Sequence, residues 1–296
     1  MNTTVIYHSA DFDGIFCREI ARKFLGDKDV QYIGWNFGDP KVPMPSDGMV
    51  YIMDLSPKCL DGFIFTPGFT DGSRIVWIDH HKTSIEQWPE EIPGYRIDGV
   101  AACRLTWQWF TRLVRQTIEI DLPEKEHFVN REVFEPMAVR LAGEYDVWDH
   151  RGDGDIEFQY GLRSQQELNW SALLNPYATA PIDVIIEQGK IAMRYARFQD
   201  GENLREAGFV VEFSGLKFLA LNTVGRGSGI FDSRDKPETG HDALLAFGWR
   251  GKYWTVSLYH ARHRTDLELS TIAVKHGGGG HKGACGFTCN ELPFLL

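Results

Sequence analysis

Three short apolar runs mark the first eighty residues, and each stops at a carboxylate or shortly before one. Residues 3–7 (TTVIY) lead to Asp11 and Asp13, residues 49–53 (MVYIM) to Asp54, and residues 75–78 (IVWI) to Asp79-His80-His81. Apolar runs of this length, without polar alternation, mark strands buried on both faces of a parallel sheet. Residues 15–25, 100–114 and 134–141 carry the helical period, the last leading into "GEYDVWDH". Residues 181–204 form a charged helical segment, with Pro181 where a first turn accepts it. Beyond it the period shortens. Residues 209–213, 216–222, 243–249 and 253–259 read as strands, with turns at Gly215 and at Arg250-Gly251-Lys252. The pattern predicts an α/β protein in three parts. Residues 1–184 form a parallel-sheet domain with helices on both faces, residues 185–207 a helical linker, and residues 208–296 a smaller α/β domain.

Composition narrows the class. Of 296 residues, 43% are hydrophobic and 24% charged, as in a chain that buries a full core. No apolar run approaches the length of a membrane span, and the N-terminus lacks a signal-peptide pattern, so no membrane partner is expected. The five cysteines form no CxxC motif, and a reducing cytoplasm is the simplest location. A net charge of −10 argues against a partner such as a long nucleic-acid duplex, which calls for a basic surface.

The charge takes on chemical meaning at the strand ends. In open parallel sheets, ligands bind at the carboxyl ends of the strands. His8, Asp11, Asp13, Asp54, His80 and His81 would therefore meet in one crevice. Such a crowd of carboxylates repels itself unless cations sit among it. Mixed carboxylate and imidazole donors suit two divalent metal ions, Mn²⁺ first, with Mg²⁺ or Co²⁺ as alternatives. Paired ions of this kind activate water and stabilise phosphoryl oxygens. Any one strand-end aspartate on its own reads more readily as a turn residue or a helix cap, and it is the repetition at three successive strands that points to a site. Far downstream, four glycines at 277–280 precede His281 in "GGGGHKGACGF". Their backbone N–H groups can approach an anion closely.

"DFDG", the isolated strand-end Asp54, "DHH" and the terminal "GGGGHKGACGF", in this order, resemble the DHH phosphoesterase superfamily with a C-terminal DHHA1 domain, in particular its oligoribonuclease and nanoRNA phosphodiesterase members. The resemblance spans essentially the whole chain. It implies metal ligation by His8, Asp11, Asp13, Asp54 (bridging) and His80. Asp79 would orient the ring of His80, and His81 would face the scissile phosphate. A fourth motif, "AGEYDVWDH", offers Asp146 or Asp149 as a further ligand, with Asp146 the better aligned. His8 stands in a His-x-x-Asp-x-Asp spacing that varies in the family. Gly278, Gly279, Gly280 and His281 would bind the far end of the substrate, and Arg262 and Arg264 lie near a substrate-binding arginine position.

These features together predict a metal-dependent phosphodiesterase that hydrolyses short oligonucleotides or dinucleotides from an end, with a homodimer compatible. The alternatives are a single-strand exonuclease, a cyclic-dinucleotide or bisphosphonucleotide phosphatase, a pyrophosphatase, and a nucleotide sensor without activity.

Overall fold

Chain segments with no polar alternation become the middle of a five-stranded sheet. Thr3–His8 (β1), Val30–Trp35 (β2), Met49–Met53 (β3), Ile75–Asp79 (β4) and Gly94–Arg96 (β5) pair in parallel throughout, in the order β2-β1-β3-β4-β5. The three runs expected from the sequence are the three inner strands, buried along nearly their whole length. The two others are edges. Strand β2 (VQYIGW) is only partly buried, and β5 is three residues long, so neither makes an unbroken apolar run. This computed structural model describes residues 2–63, 74–88, 90–115 and 121–294.

Successive side chains of a strand point to opposite faces, and here they feed two cores. Val5, Tyr7, Tyr51, Met53, Val76 and Ile78 pack with helices α1 (Phe12–Leu25), α2 (Ala102–Arg115), α3 (Met137–Asp146) and α4 (Asp155–Ser164). Ile6, Val50, Ile52 and Trp77 meet Val42, Leu55, Cys59, Leu60 and Ile92 in a smaller core. The two faces are thus covered unequally. Among the described residues, the second face carries a 3-10 turn at Pro57–Cys59, the two-residue strands Val42–Pro43 and Leu60–Asp61, and a helix, Lys82–Gln87, with no buried residue.

The chain divides into two compact units, Met1–Ala192 and Met193–Leu296, and the division falls inside the 28-residue helix α5 (Ala180–Ala207). In the second unit, Phe209–Phe213 (β6), Leu216–Asn222 (β7), Ala243–Trp249 (β8), Trp254–His260 (β9), Gly279–His281 (β10) and Ala284–Cys289 (β11) form one sheet. Its order is β10-β11-β9-β8-β7-β6, with helix α6 (Ser270–Lys275) contributing Ile272 and Ala273 to the core on one face. Ser214 and Gly215 both take positive φ (51° and 80°), as the turn of a tight hairpin requires. Strands β8 and β9 join through Arg250, whose N–H donates to the Tyr253 carbonyl at 2.9 Å, with Gly251 at φ 85°. One pairing departs from a simple meander: β7 and β8 run parallel, so residues 223–242 cross over between them. All five cysteines are unpaired thiols. Among the described residues, no helix is long and apolar enough to cross a membrane.

Glycine sets the approach of α4 to α5 within the first unit. A Cβ on Gly161 would lie 2.1 Å from the Ile185 carbonyl oxygen, and one on Gly189 1.7 Å from that of Glu157. Alanine is the better helix former by about 1 kcal/mol, so propensity alone predicts that Gly189→Ala stabilises α5. The overlap with backbone predicts the reverse, a net loss of about 1–2 kcal/mol. Denaturant unfolding of Gly189→Ala decides the sign.

Candidate metal centre

The sheet order creates the crevice. From β1 the chain passes to β2 on one side, and β3 then pairs on the other side of β1, so the carboxyl ends of β1 and β3 flank a topological switch point. His8 closes β1, Asp54 follows β3, and Asp79 closes β4 with His80 and His81 directly behind. Asp11 and Asp13 reach the same place from the start of α1. Gly14 lets that helix begin so close to β1: a Cβ there would lie 1.9 Å from the His8 carbonyl oxygen. Asp146 arrives at the last residue of α3, since the helix continues through "GEYD".

Side-chain distances show what is brought together. His8 Nδ1 lies 2.8 Å from Asp11 Oδ2 and 3.3 Å from Asp54 Oδ2. His80 Nε2 faces three carboxylates at once, Asp13 at 3.6 Å, Asp54 at 3.4 Å and Asp146 at 3.3 Å. Asp11 is also the N-cap of α1, its Oδ1 accepting from the Gly14 N–H at 3.1 Å, so the cap reading and the cluster reading both hold for this residue. Asp13 accepts from the backbone N–H groups of Ala102 (2.8 Å) and Cys103 (2.7 Å) at the start of α2. Sequence reasoning does not reach that anchorage; its only trace in the chain is the run of small residues after Gly99. Asp149 is elsewhere engaged, bound to the Arg151 guanidinium, so Asp146 is the one that joins the cluster.

The expected partner of Asp79 is corrected. Asp79 Oδ1 accepts from the ring of His81 at 2.7 Å and from the backbone N–H groups of His80 and His81, while the ring of His80 turns Nε2 toward the other aspartates. The strand ends at Asp79 and the chain turns there: the backbone N–H groups of His80 and His81 both fold back onto Asp79 Oδ1, at 2.8 and 3.2 Å, which brings the His81 ring to the same oxygen. Asp79 therefore orients His81.

Burial concentrates the charge. Asp13, Asp54 and Asp79 are 2% exposed or less, and His80 4%. Burial opposes charge on His8, but hydrogen bonds to Asp11 and Asp54 outweigh it and carry its pKa up to about 11. The same contest leaves His80 and His81 raised, by Asp54, Asp146 and Asp13 in one case and by Asp79 in the other. Burial would raise Asp54, yet its contacts with His8 and His80 hold it below the ordinary carboxylate range. Burial and the neighbouring Asp54 raise Asp146 to about 7, and burial with Asp54 and Asp146 raises Asp13. Asp54 also sits at φ 58°, a left-handed conformation uncommon outside glycine, asparagine and aspartate.

The donors fit divalent cations. His8, Asp11 and Asp54 can converge on one point, and Asp13, His80 and Asp146 on another; the ligand atoms of each trio lie within 4.8 Å of one another. Asp54, His80 and His81 form a third such trio joining the first two. Asp54 Oδ1 is buried and, among the described residues, accepts no well-formed hydrogen bond, with His80 Nε2 3.4 Å away, as an atom left open to a cation would be.

In the second unit, part of the glycine run is taken up in a sheet. Gly279–His281 is strand β10, antiparallel to β11. A Cβ on Gly278 would lie 2.0 Å from the Gly286 carbonyl oxygen, and Gly280 takes φ 129° against Cys285, so close packing accounts for both glycines. At Gly279 a Cβ would meet open space, and His281 is exposed. Arg262 pairs with Asp232 at 2.7 Å, and Arg264 with Asp242 at 2.8 Å and Asp266 at 3.0 Å.

The cluster predicts how metal-free protein responds to pH. His8 titrates near 11 when folded against its ordinary 6.5, so the folded state holds the extra proton between these values. Its stabilisation is complete below about pH 6.5 and fades as pH rises toward 11, with a slope of at most about 1.4 kcal/mol per pH unit. Thermal unfolding in chelator should show midpoints falling from pH 7 to 10, and His8→Gln should flatten that slope.

No family profile and no curated protein matches the sequence. Solved structures do match it. The DHH domain of a protein described as a member of a ribosomal-protein family is 14% identical, with 99% of this chain and 83% of that chain covered and a TM-score of 0.52. An exopolyphosphatase-related protein from Bacteroides fragilis is also 14% identical, covering 99% of this chain and 87% of that one, with a TM-score of 0.52. A pGpG-specific phosphodiesterase from Vibrio cholerae is 16% identical over 98% of this chain and 94% of its own, at a TM-score of 0.46. On the first two, and on the strand-end geometry above, the chain has the fold of the DHH-domain proteins.

Proposed function

We propose that the protein is a metal-dependent phosphodiesterase that hydrolyses short oligonucleotides or dinucleotides from an end. The observation that carries this reading is the pair of non-overlapping ligand trios, His8/Asp11/Asp54 and Asp13/His80/Asp146, joined through the unsatisfied Oδ1 of Asp54. When bound, two divalent ions, Mn²⁺ by preference, polarise phosphoryl oxygens and lower the pKa of water.

The chain's own residues divide the remaining work. Asp79 holds the His81 ring through Nδ1, which fixes its orientation beside Asp54 and His80, where a bound phosphate would lie. Asp79 also keeps the imidazolium favoured, so His81 serves as a proton donor. Asp13, fixed by two helix N–H donors, and His80 hold the second trio rigid. The second unit contributes binding in this reading, through the glycine strand and His281. Arg262 and Arg264, both held by carboxylates, are less suited to the role. The acidic net charge of −10 favours short substrates over long strands.

Incubation with Mn²⁺ and a panel (a dinucleotide, a 5-mer, a 24-mer, cyclic dinucleotides, 3′,5′-bisphosphorylated adenosine and pyrophosphate) tests the substrate. Preference for the dinucleotide or 5-mer is expected. Preference for the 24-mer would make it an exonuclease, and no turnover would leave a sensor. Asp54→Asn should lower turnover more than about 100-fold and reduce bound Mn²⁺, since losing even an outer-sphere partner of a ligand costs 10- to 100-fold. For His281→Ala the expected change is a KM rise of about tenfold with Mn²⁺ content intact, as the loss of one charge-assisted contact implies; a loss of metal instead would contradict a binding role.

A further inference from the structure

Phe37 is 66% exposed, in a loop that leaves β2 at the same sheet end as the metal-centre residues. Its ring meets that of His8 edge-on, with centroids 5.8 Å apart, and that of Trp35 at 5.7 Å. The loop is pinned from within. The Asn36 N–H donates to Asp39 Oδ2 (2.8 Å), the Asp39 N–H to the Asn36 carbonyl (3.0 Å), and Trp35 Nε1–H to the Pro40 carbonyl (3.0 Å). Gly38, at φ 97°, completes the bend. A fixed loop therefore holds an apolar ring in water, supported on two sides by aromatic neighbours and in contact with a candidate ligand. Trp148 is similarly exposed, but its ring packs on His150, outside the cluster.

We propose that Phe37 is a stacking platform for the nucleobase next to the scissile phosphate. The proposal rests on the phosphodiesterase reading above and deepens it, because an inorganic phosphate chain offers nothing for this ring to bind. Every base has a π-face, so such a platform gives affinity with little base preference. Its position against His8 would set the sugar-phosphate beside the ligand trio that contains His8.

The test compares wild type, Phe37→Ala and Phe37→Trp, loaded with Mn²⁺, on a dinucleotide and on its analogue with the first base replaced by hydrogen. Phe37→Ala should raise KM for the dinucleotide about 5- to 100-fold with kcat changed less than about threefold. Phe37→Trp should restore KM, and the alanine penalty should shrink to less than about twofold on the abasic analogue. An unchanged KM, a loss confined to kcat, or an equal penalty on the abasic analogue would overturn the platform and leave the ring a cover for His8. Wild type inert on every nucleotide would overturn the phosphodiesterase reading and the platform together. Bound Mn²⁺ and the thermal midpoint, measured on each variant, separate these outcomes from misfolding.

Discussion

Carboxylates buried side by side are the constraint around which the first unit is organised. Two like charges 4 Å apart at a protein's effective dielectric of about 20 repel by roughly 4 kcal/mol, and Asp13, Asp54 and Asp146 all surround one imidazole nitrogen. The fold offsets this with fixed partial charges and with imidazolium. The amino end of α2 gives two N–H donors to Asp13, and His8 and His80 sit between the acids. The protons that remain are shared unevenly, Asp54 ionised and Asp13 and Asp146 held toward the neutral form. Divalent cations would take over the task those protons perform.

Much of this was legible because inner parallel strands write themselves plainly. β1, β3 and β4 are unbroken apolar runs, and their carboxylate endings mark the crevice without any knowledge of the pairing. The edge strands were not legible, since Gln31 and Gly34 interrupt the apolar residues of β2 without a regular period and β5 is too short to show one. Nor was the parallel step from β7 to β8, because periodicity reports which face a residue takes and not which strand lies alongside. Which aspartate of "EYDVWDH" joins the cluster depended on the helix running to Asp146 and on Arg151 capturing Asp149, both tertiary outcomes.

The histidine pair shows that the letters of a motif do not give its wiring. Adjacent letters suggest adjacent action, yet the chain turns at the end of β4 and returns the ring of residue 81, not that of residue 80, to Asp79. Asp79 therefore supports His81, and His80 stands among the other acids. The glycine run has a similar lesson. Its residues are required first by a close strand pairing, at Gly278 and Gly280, and any role toward a ligand is added to that requirement.

The backbone at Asp54 narrows what inheritance can do with this position. At φ 58°, glycine, asparagine and aspartate are the residues that fit with little strain. Two of those three carry no charge, and each is a single-base change from an aspartate codon. A descendant that keeps the fold and still gathers the same histidines, but lacks this carboxylate in the cluster, is one mutation away. Loss of chemistry here need leave no mark on the architecture.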